Sequence, residues 1–283
     1  MAARNGLDSR LMTPDRTKAA RDLLAFYMES GADAAIAEQP VDRFADLEPT
    51  RPAAAPKPAP PARAEALRRP SAMPAAAPAA PLSPDAAIMA AREAAKSAAS
   101  LDELRTILAG FEGCGLKAHA KQLAFADGNP EGRVMFVGEA PGREEDIEGR
   151  PFVGRAGQLL DLMMNAIGLD RTNSYIANIV PWRPPGNRTP TPLETQICLP
   201  FTLRQIELAD PDILVCLGNP SSQTLLRFTD GITKTRGRWL GFQTGSREIR
   251  AIATLHPAYL LRSPIYKRLA WRDFLAIRKA LAS

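Results

Sequence analysis

Four short apolar segments, alternating with segments of helical spacing, constrain the fold of this chain more than any other feature. The segments lie at 133–140 (RVMFVGEA), 174–180 (SYIANIV), 212–218 (DILVCLG) and 248–255 (EIRAIATL). Helical spacing of apolar residues occurs at 157–167, 193–209, 221–228 and 266–281. Strands without polar alternation, separated by helices, are typical of a parallel sheet that helices cover on both faces. We therefore predict an α/β fold, a three-layer α/β/α sandwich around a four-stranded parallel sheet.

The first part of the chain differs in composition from this domain. Residues 38–85 are rich in Pro and Ala and carry few large apolar side chains. Such a segment cannot bury enough surface to offset the entropy of ordering, so we predict a disordered linker. Residues 1–37 include a short amphipathic pattern at 14–37, which indicates a helix. A helix on a Pro/Ala tether is typical of an arm that binds a protein partner. The folded domain is then predicted at 86–283.

Charge and cysteine content narrow the functional classes. The formal net charge is +5 and the sequence pI is about 9.3, which suits a polyanionic partner. We find no apolar run long enough to span a bilayer and no signal-like start, and we expect a cytoplasmic monomer that is not bound to a membrane. The three cysteines are Cys114, Cys198 and Cys216. This odd number argues against a disulfide framework and cannot alone form a four-thiolate site.

Polar residues end three of the four predicted strands. Glu139 lies near the end of the first, Asn178 lies near the end of the second and His256 directly follows the fourth. Ligands of open parallel sheets bind beyond the carboxyl ends of the strands, so these side chains are expected to converge. Asn178 could equally be a turn residue at a strand end. A single histidine is more often structural, but its place at this edge favours a functional role for His256.

The loops after these strands contain further candidates. In the first loop, Phe152 stands among polar residues, as a stacking platform would, and Glu144 is interpreted as a surface residue. In the second loop, Arg183 and Arg188 could bind phosphates. The third loop, HPAYLLR, places apolar residues beside Arg262. That composition suits a wedge that fills the space left by an extruded base, or ordinary packing of the last helix.

Several motifs together resemble the family-4 uracil-DNA glycosylases. They are GEAPGREED, GRPFVGRAGQLLD, YIANIVPWRPPGNRTP, LPFTLRQIELADPDILVCLG and HPAYLLR, between about residue 111 and the C-terminus. The resemblance implies an α/β/α sandwich with a four-stranded parallel sheet. It also implies an enzyme that flips uracil out of single- or double-stranded DNA and hydrolyses the N-glycosidic bond. An abasic site remains for base-excision repair, so the activity is expected to be associated with the nucleoid.

The resemblance also implies roles for residues at matching positions. Glu139 and Glu145 occupy its two acidic positions, where either one positions the attacking water or stabilises the cationic sugar. His256 donates to the 2-carbonyl oxygen of uracil, which Ala140, Phe152 and Asn178 also bind. The implied DNA contacts are Asn187, Arg188, Pro257, Tyr259, Leu261 and Arg262.

The cysteines depart from the family pattern. The resemblance implies an iron–sulfur cluster held by four cysteines, of which the first two form C-x-x-C. Here the matching sequence is Phe111-Glu112-Gly113-Cys114. Cys198 matches the third position, and Cys216 lies two residues beyond the position expected for the fourth, near Leu214. We predict that no cluster, metal or other cofactor is present and that packing around Phe111 replaces the cluster. The alternative is a labile cluster with one non-cysteine ligand.

Two other functions compete with uracil excision. One is a glycosylase with a broader or different lesion range, such as hypoxanthine or xanthine. The other is a non-catalytic module that binds uracil-containing DNA. The acidic residues and His256 together argue against a non-catalytic module, because a hydrolytic reaction needs polar groups that stabilise the charges formed in its transition state.

Overall fold

A six-stranded mixed sheet forms the centre of the protein in a computed structural model, which describes residues 83–282. Its strands are β1 (Asp127–Gly128), β2 (Val134–Gly138), β3 (Ser174–Asn178), β4 (Ile213–Leu217), β5 (Trp239–Gln243) and β6 (Glu248–Thr254). They lie in the order β1-β3-β2-β4-β6-β5. The four inner strands are parallel and are the four predicted ones. The α/β class is confirmed.

The predicted strand count of four was wrong, because two antiparallel strands flank the parallel core. β1 has only two residues and pairs with β3, and β5 pairs with β6. Edge strands are half-exposed, and β5 accordingly has a single buried residue, Phe242. A short or half-exposed strand lacks the continuous apolar run by which the inner strands are found.

Helices cover both faces of this sheet. Within residues 83–282 the α-helices are α1 (Pro84–Ser97), α2 (Leu101–Gly110), α3 (Arg143–Glu148), α4 (Arg155–Asn165), α5 (Pro192–Ala209), α6 (Asn219–Leu226), α7 (Ile232–Thr235), α8 (Pro257–Arg262) and α9 (Lys267–Leu281). None of the helices in this range is long and apolar enough to cross a membrane. The hydroxyl of Ser83 caps α1 by accepting a hydrogen bond from the Ala86 amide at 3.3 Å.

The start of α1 corrects one predicted boundary. The helix begins at Pro84, within the segment 38–85 that was predicted to be disordered. The Ala-rich sequence of α1 buries only small side chains, and this is why its first turn could not be told from the linker. The N-terminal helical segment at 1–37 and the linker up to residue 82 lie outside the described residues.

Alternate residues of the inner strands face two separate apolar clusters. Met135 and Val137 of β2 point to the side covered by α1, α2 and α5. Val134 and Phe136 point to the side covered by α4 and α9, where the rings of Phe136 and Phe274 stack at 6.1 Å. Strands buried on both faces explain the continuous apolar runs in the sequence.

The register aligns the carboxyl ends of the inner strands at one edge. Gly138 pairs with Asn178, and Leu217 pairs with Thr254. The amide of Gly218 continues this alignment by donating to the carbonyl oxygen of Thr254 at 2.8 Å. The residues that follow all four strands therefore meet at the same end of the sheet.

Candidate active site

A cavity of about 590 Å³ lies beyond the carboxyl ends of the parallel strands. Each of the four strands brings one polar side chain to it: Asn178 from β3, Glu139 after β2, Asn219 after β4 and His256 after β6. The convergence expected for Glu139, Asn178 and His256 is thus observed. Asn219 was not predicted, although it follows the third apolar segment in the same way as the others follow theirs.

Most of the residues implied by the resemblance line this cavity. Pro257 and Leu261 do not; they lie on α8, where Pro257 is buried and Leu261 is 36% exposed. The ones that line it are Glu139, Ala140, Glu145, Phe152, Asn178, Asn187, Arg188, Tyr259, His256 and Arg262.

Glu139 carries a carboxylate oxygen that the fold leaves unpaired. One of its oxygens is buried and has no hydrogen-bond partner among residues 83–282. Burial raises the pKa of this carboxyl above its usual value, since removal from water disfavours the charged form. The Glu139 carboxylate is therefore available to a ligand or a water molecule in the cavity.

Glu145, the second acidic candidate, is engaged by the backbone instead. One carboxylate oxygen accepts from the Gly142 amide at 3.0 Å, and the other accepts from Val153 at 3.1 Å and Gly154 at 2.9 Å. Its side chain is buried. Three charge-assisted hydrogen bonds tie the start of α3 to the loop before α4. The geometry thus separates a free carboxylate at Glu139 from one that organises the loop at Glu145.

The side chains of Asn178 and Phe152 both pack against the backbone at Gly138. A Cβ atom at Gly138 would lie 2.4 Å from the side-chain oxygen of Asn178 and 2.6 Å from Cζ of Phe152. Only glycine leaves this space. The Asn178 oxygen is buried and has no hydrogen-bond partner within the described range, so it too remains available to a ligand.

Phe152 adopts a backbone conformation that its surroundings must hold in place. Its φ angle is +56°, which is rare for a bulky residue and costs on the order of 1 to 3 kcal/mol. Gly157 packs directly on its carbonyl group, where a Cβ would come within 1.7 Å, and Arg171 donates to the same carbonyl oxygen. The ring is buried, and its centroid lies 5.5 Å from that of the His256 ring, with an angle of 29° between the two ring planes. A flat apolar face therefore borders the cavity beside His256.

His256 is held as a neutral hydrogen-bond donor. Its Nδ1 accepts from the Ala258 amide at 3.1 Å and so caps α8. Burial, with the nearby charge of Arg262, lowers its pKa to about 4. In a neutral imidazole whose Nδ1 accepts, the proton lies on Nε2. His256 can therefore donate from Nε2 at neutral pH.

The second loop positions its polar residues through internal contacts. Arg188 makes two hydrogen bonds to the Glu194 carboxylate, at 2.7 and 2.8 Å, and this pairing lowers the pKa of Glu194 to about 2. Asn187 has a φ angle of +56° and accepts from Nε of Arg183 at 2.6 Å. A phosphate contact by Arg188 must therefore share the guanidinium with Glu194.

The third loop, HPAYLLR, is helical, since Pro257–Arg262 form α8. Leu260 is buried in a small cluster with Leu255, so it packs the domain and cannot act as part of a wedge. Exposed apolar surface in this region comes from Leu261 and from Ile265, which is 74% exposed. Ile265 was missed, because one apolar residue between Pro and Tyr gives no periodic signal.

Comparison with known proteins identifies the family. The model of the uracil DNA glycosylase superfamily matches residues 125–275, which is more than half of the chain. The chain belongs to this superfamily.

Several members of this superfamily are similar over most of their length. A type-4 uracil-DNA glycosylase of Thermotoga maritima is 46% identical over 157 residues, 53% of this chain and 77% of that protein. The type-4 uracil-DNA glycosylase of Archaeoglobus fulgidus is 36% identical over 182 residues, 63% of this chain and 92% of that protein. That of Saccharolobus solfataricus is 39% identical over 175 residues, 60% of this chain and 81% of that protein.

The cysteines of this superfamily member do not fit a four-thiolate cluster. Cys198 and Cys114 are buried with their sulfur atoms 3.9 Å apart, whereas Cys216 lies inside β4 and is fully buried. No group of three or more His, Cys, Asp or Glu side chains in residues 83–282 could hold a metal ion.

Phe111 fills space next to this cysteine pair. Its ring contacts the Phe201 ring edge-on at 5.1 Å and lies against Gly113, where a Cβ would come within 2.4 Å of it. Phe111 and Cys114 are three residues apart, as are Cys198 and Phe201. The aromatic contact and the thiol contact therefore join the same two segments side by side.

Proposed function

We propose that this chain is a monofunctional uracil-DNA glycosylase that hydrolyses the N-glycosidic bond of deoxyuridine in DNA and leaves an abasic site. The observation that carries the proposal is the pairing of an unpartnered carboxylate, Glu139, with a neutral imidazole donor, His256, in one cavity. The type-4 uracil-DNA glycosylases to which the chain is similar support the substrate.

The base would be recognised by three side chains. Phe152 offers its ring for stacking, and the unpaired oxygen of Asn178 suits the N3–H donor of uracil. The Nε2–H of His256 suits the 2-carbonyl oxygen. Flipping the base out of a duplex costs a few kcal/mol and costs least at a mispair.

Hydrolysis then separates charge between the sugar and the base. The C1′–N1 bond breaks, its electron pair moves to the uracil ring, and the water oxygen bonds to C1′. Glu139 stabilises the cationic sugar and accepts the proton of the water, while His256 donates to the oxygen on which negative charge grows. Preorganised groups of this type supply a few kcal/mol each.

Glu145 acts indirectly in this proposal. Its three backbone hydrogen bonds fix the two loops that flank α3, of which the first carries Glu139 and the second Phe152. Leu261 and Ile265 would fill the space left by the flipped base, and Arg262 would meet phosphate.

We further infer that the protein functions without an iron–sulfur cluster. The support is chemical, since two neighbouring thiols and a third one inside a strand cannot supply four ligands. The Phe111–Phe201 contact supplies the packing that a cluster would give between these segments.

The test is excision from an oligonucleotide that contains one uracil, followed by alkaline cleavage of abasic sites. We expect product with the wild-type protein and a loss of about 100-fold or more with Glu139→Gln or His256→Ala. Glu144→Gln is the matched control, because Glu144 lies at the start of α3, close to Glu139 in the chain, is exposed and does not line the cavity. The proposal fails if folded wild-type protein gives no product, or if it cleaves hypoxanthine or xanthine substrates in preference to uracil.

A further inference from the structure

Asn219 lies just beyond β4, the one parallel strand for which no site residue was predicted. It follows Gly218 after β4, begins α6 and lines the cavity with Glu139, Asn178 and His256. β4 lies between β2 and β6 in the sheet. The position of Asn219 is therefore next to those of Glu139 and His256.

The backbone around Gly218 fixes this placement. Gly218 has a φ angle of +88°, and a Cβ there would lie 2.9 Å from Cβ of His256. Its amide donates to the carbonyl oxygen of Thr254 at 2.8 Å, and the Ser222 hydroxyl donates to its carbonyl oxygen at 2.6 Å. Asn219 is thus held against the end of β6 by contacts that do not involve its own side chain.

The side-chain oxygen of Asn219 is buried and has no partner. In residues 83–282, the buried side-chain atoms without a hydrogen-bond partner are one oxygen each of Glu139, Asn178 and Asn219, and all three residues line the same cavity. Buried polar groups are nearly always paired, so three unpaired acceptors at one site indicate that their donors arrive with the ligand.

The available donors can be counted. Uracil attached to DNA has a single N–H group, at N3, and the proposed role of Asn178 uses it. The attacking water has two O–H groups. One of them points to Glu139, which leaves the other for one remaining acceptor, Asn219.

We propose that Asn219 positions the attacking water by accepting its second O–H group, while Glu139 accepts the first. This inference rests on the proposed hydrolysis of uracil-DNA. A water held by two acceptors has its lone pair turned away from both, towards the reacting carbon. Loss of one acceptor lets the water rotate, and a misplaced reactant typically costs about 100-fold in rate.

The test is single-turnover excision by Asn219→Ala. We expect the excision rate to fall by about 10- to 100-fold, with less than a twofold change in the Kd for uracil-DNA and in the inhibition constant for free uracil. Asn219→Asp keeps an acceptor oxygen of the same reach and is expected to recover most of the rate at pH 8. Gln223→Ala, an exposed position on the same helix, is the matched control and should leave the rate unchanged.

Other outcomes separate this inference from the proposed function. An inactive wild-type protein would refute the function itself. An active wild type with an equally fast Asn219→Ala variant would refute only the role of Asn219. Weaker inhibition by free uracil with an unchanged excision rate would also refute the role of Asn219 in positioning water, because it would show that Asn219 contacts the base. The melting temperature of Asn219→Ala should not fall, because its oxygen has no partner to lose, and a clear fall would assign it a structural role.

Discussion

The two acidic residues of the first loop should respond in opposite ways to the same isosteric change. Glu145 accepts three backbone hydrogen bonds at 2.9 to 3.1 Å, whereas Glu139 has a buried oxygen with no partner in the described part of the chain. Glu145→Gln removes the charge and turns an NH₂ group towards one of the amides. Glu139→Gln removes a charge that burial disfavours. We therefore expect the first variant to be less stable than wild type and the second to be more stable.

The magnitude for Glu145 follows from its contacts. Hydrogen bonds to a charged group contribute about 1.5 to 3 kcal/mol each, and the amide keeps an acceptor oxygen for the Val153 and Gly154 amides. Losing the Gly142 contact and weakening the other two should cost roughly 2 to 3 kcal/mol. For a domain of this size, that lowers the melting temperature by about 4 to 12 °C.

The pH dependence of stability distinguishes the effect of the Glu139 charge from an effect of packing. Its folded-state pKa is raised, so the wild-type protein loses stability as pH rises from the unfolded-state value, near 4.5, through the folded value. The advantage of Glu139→Gln should be absent below about pH 4 and present at pH 8. Differential scanning calorimetry at both pH values is the assay. Equal melting temperatures of Glu139→Gln and wild type at pH 8, or a Glu145→Gln variant as stable as wild type, would show that burial of Glu139 and pairing of Glu145 do not affect stability in this way.

Other predictions concern activity, the cysteine region and the N-terminal part. The acid limb of kcat/KM should lie above pH 4.5, since Glu139 must be ionised and its pKa is raised, and no His256 step should appear between pH 5 and 8, since its pKa is about 4. An acid limb below pH 4.5 would contradict the first expectation, and a step between pH 5 and 8 that persists in Glu139→Gln would contradict the second. Phe111→Ala should lower the free energy of unfolding by about 1.5 to 3 kcal/mol in chemical denaturation, because Phe111 is partly buried and the change removes its contact with Phe201; a loss below about 0.5 kcal/mol would contradict that packing role. Anaerobically purified protein should show no thiolate–iron absorbance bands, and their presence would establish a cluster. Deletion of residues 1–82 should leave kcat/KM within about twofold, because the cavity is formed by residues from 139 to 262, and a large loss would give the N-terminal part a role in catalysis.

Much of the candidate site followed from the sequence because strand ends are local signals. Glu139, Asn178 and His256 each stand at the end of an apolar run, and a parallel sheet brings such ends to one edge. Asn219 has the same local signal. It was missed because the Gly-Asn-Pro that follows DILVCL also fits an ordinary turn, and only the cavity and the unpaired oxygen distinguish it.

The role of a residue could not be predicted in this way where it depends on hydrogen-bond or packing partners from distant segments. Glu139 and Glu145 are six residues apart in one acidic loop, and nothing local separates them. The difference comes from amides at Val153 and Gly154, which the chain brings back to Glu145 after α3. Leu260 likewise resembled a wedge residue until its burial against Leu255 placed it in the core.

The α/β class, the four parallel strands and the edge of the sheet at which the site lies could be predicted from the sequence, because apolar periodicity and strand ends are encoded within single segments. The folded structure was needed to find the two antiparallel edge strands, the free carboxylate at Glu139 and the engaged one at Glu145. It also decided the protonation state of His256 and the place of Asn219. Each of these depends on which groups from distant segments lie within hydrogen-bond distance or exclude water, and burial and pairing of that kind exist only once the chain has folded.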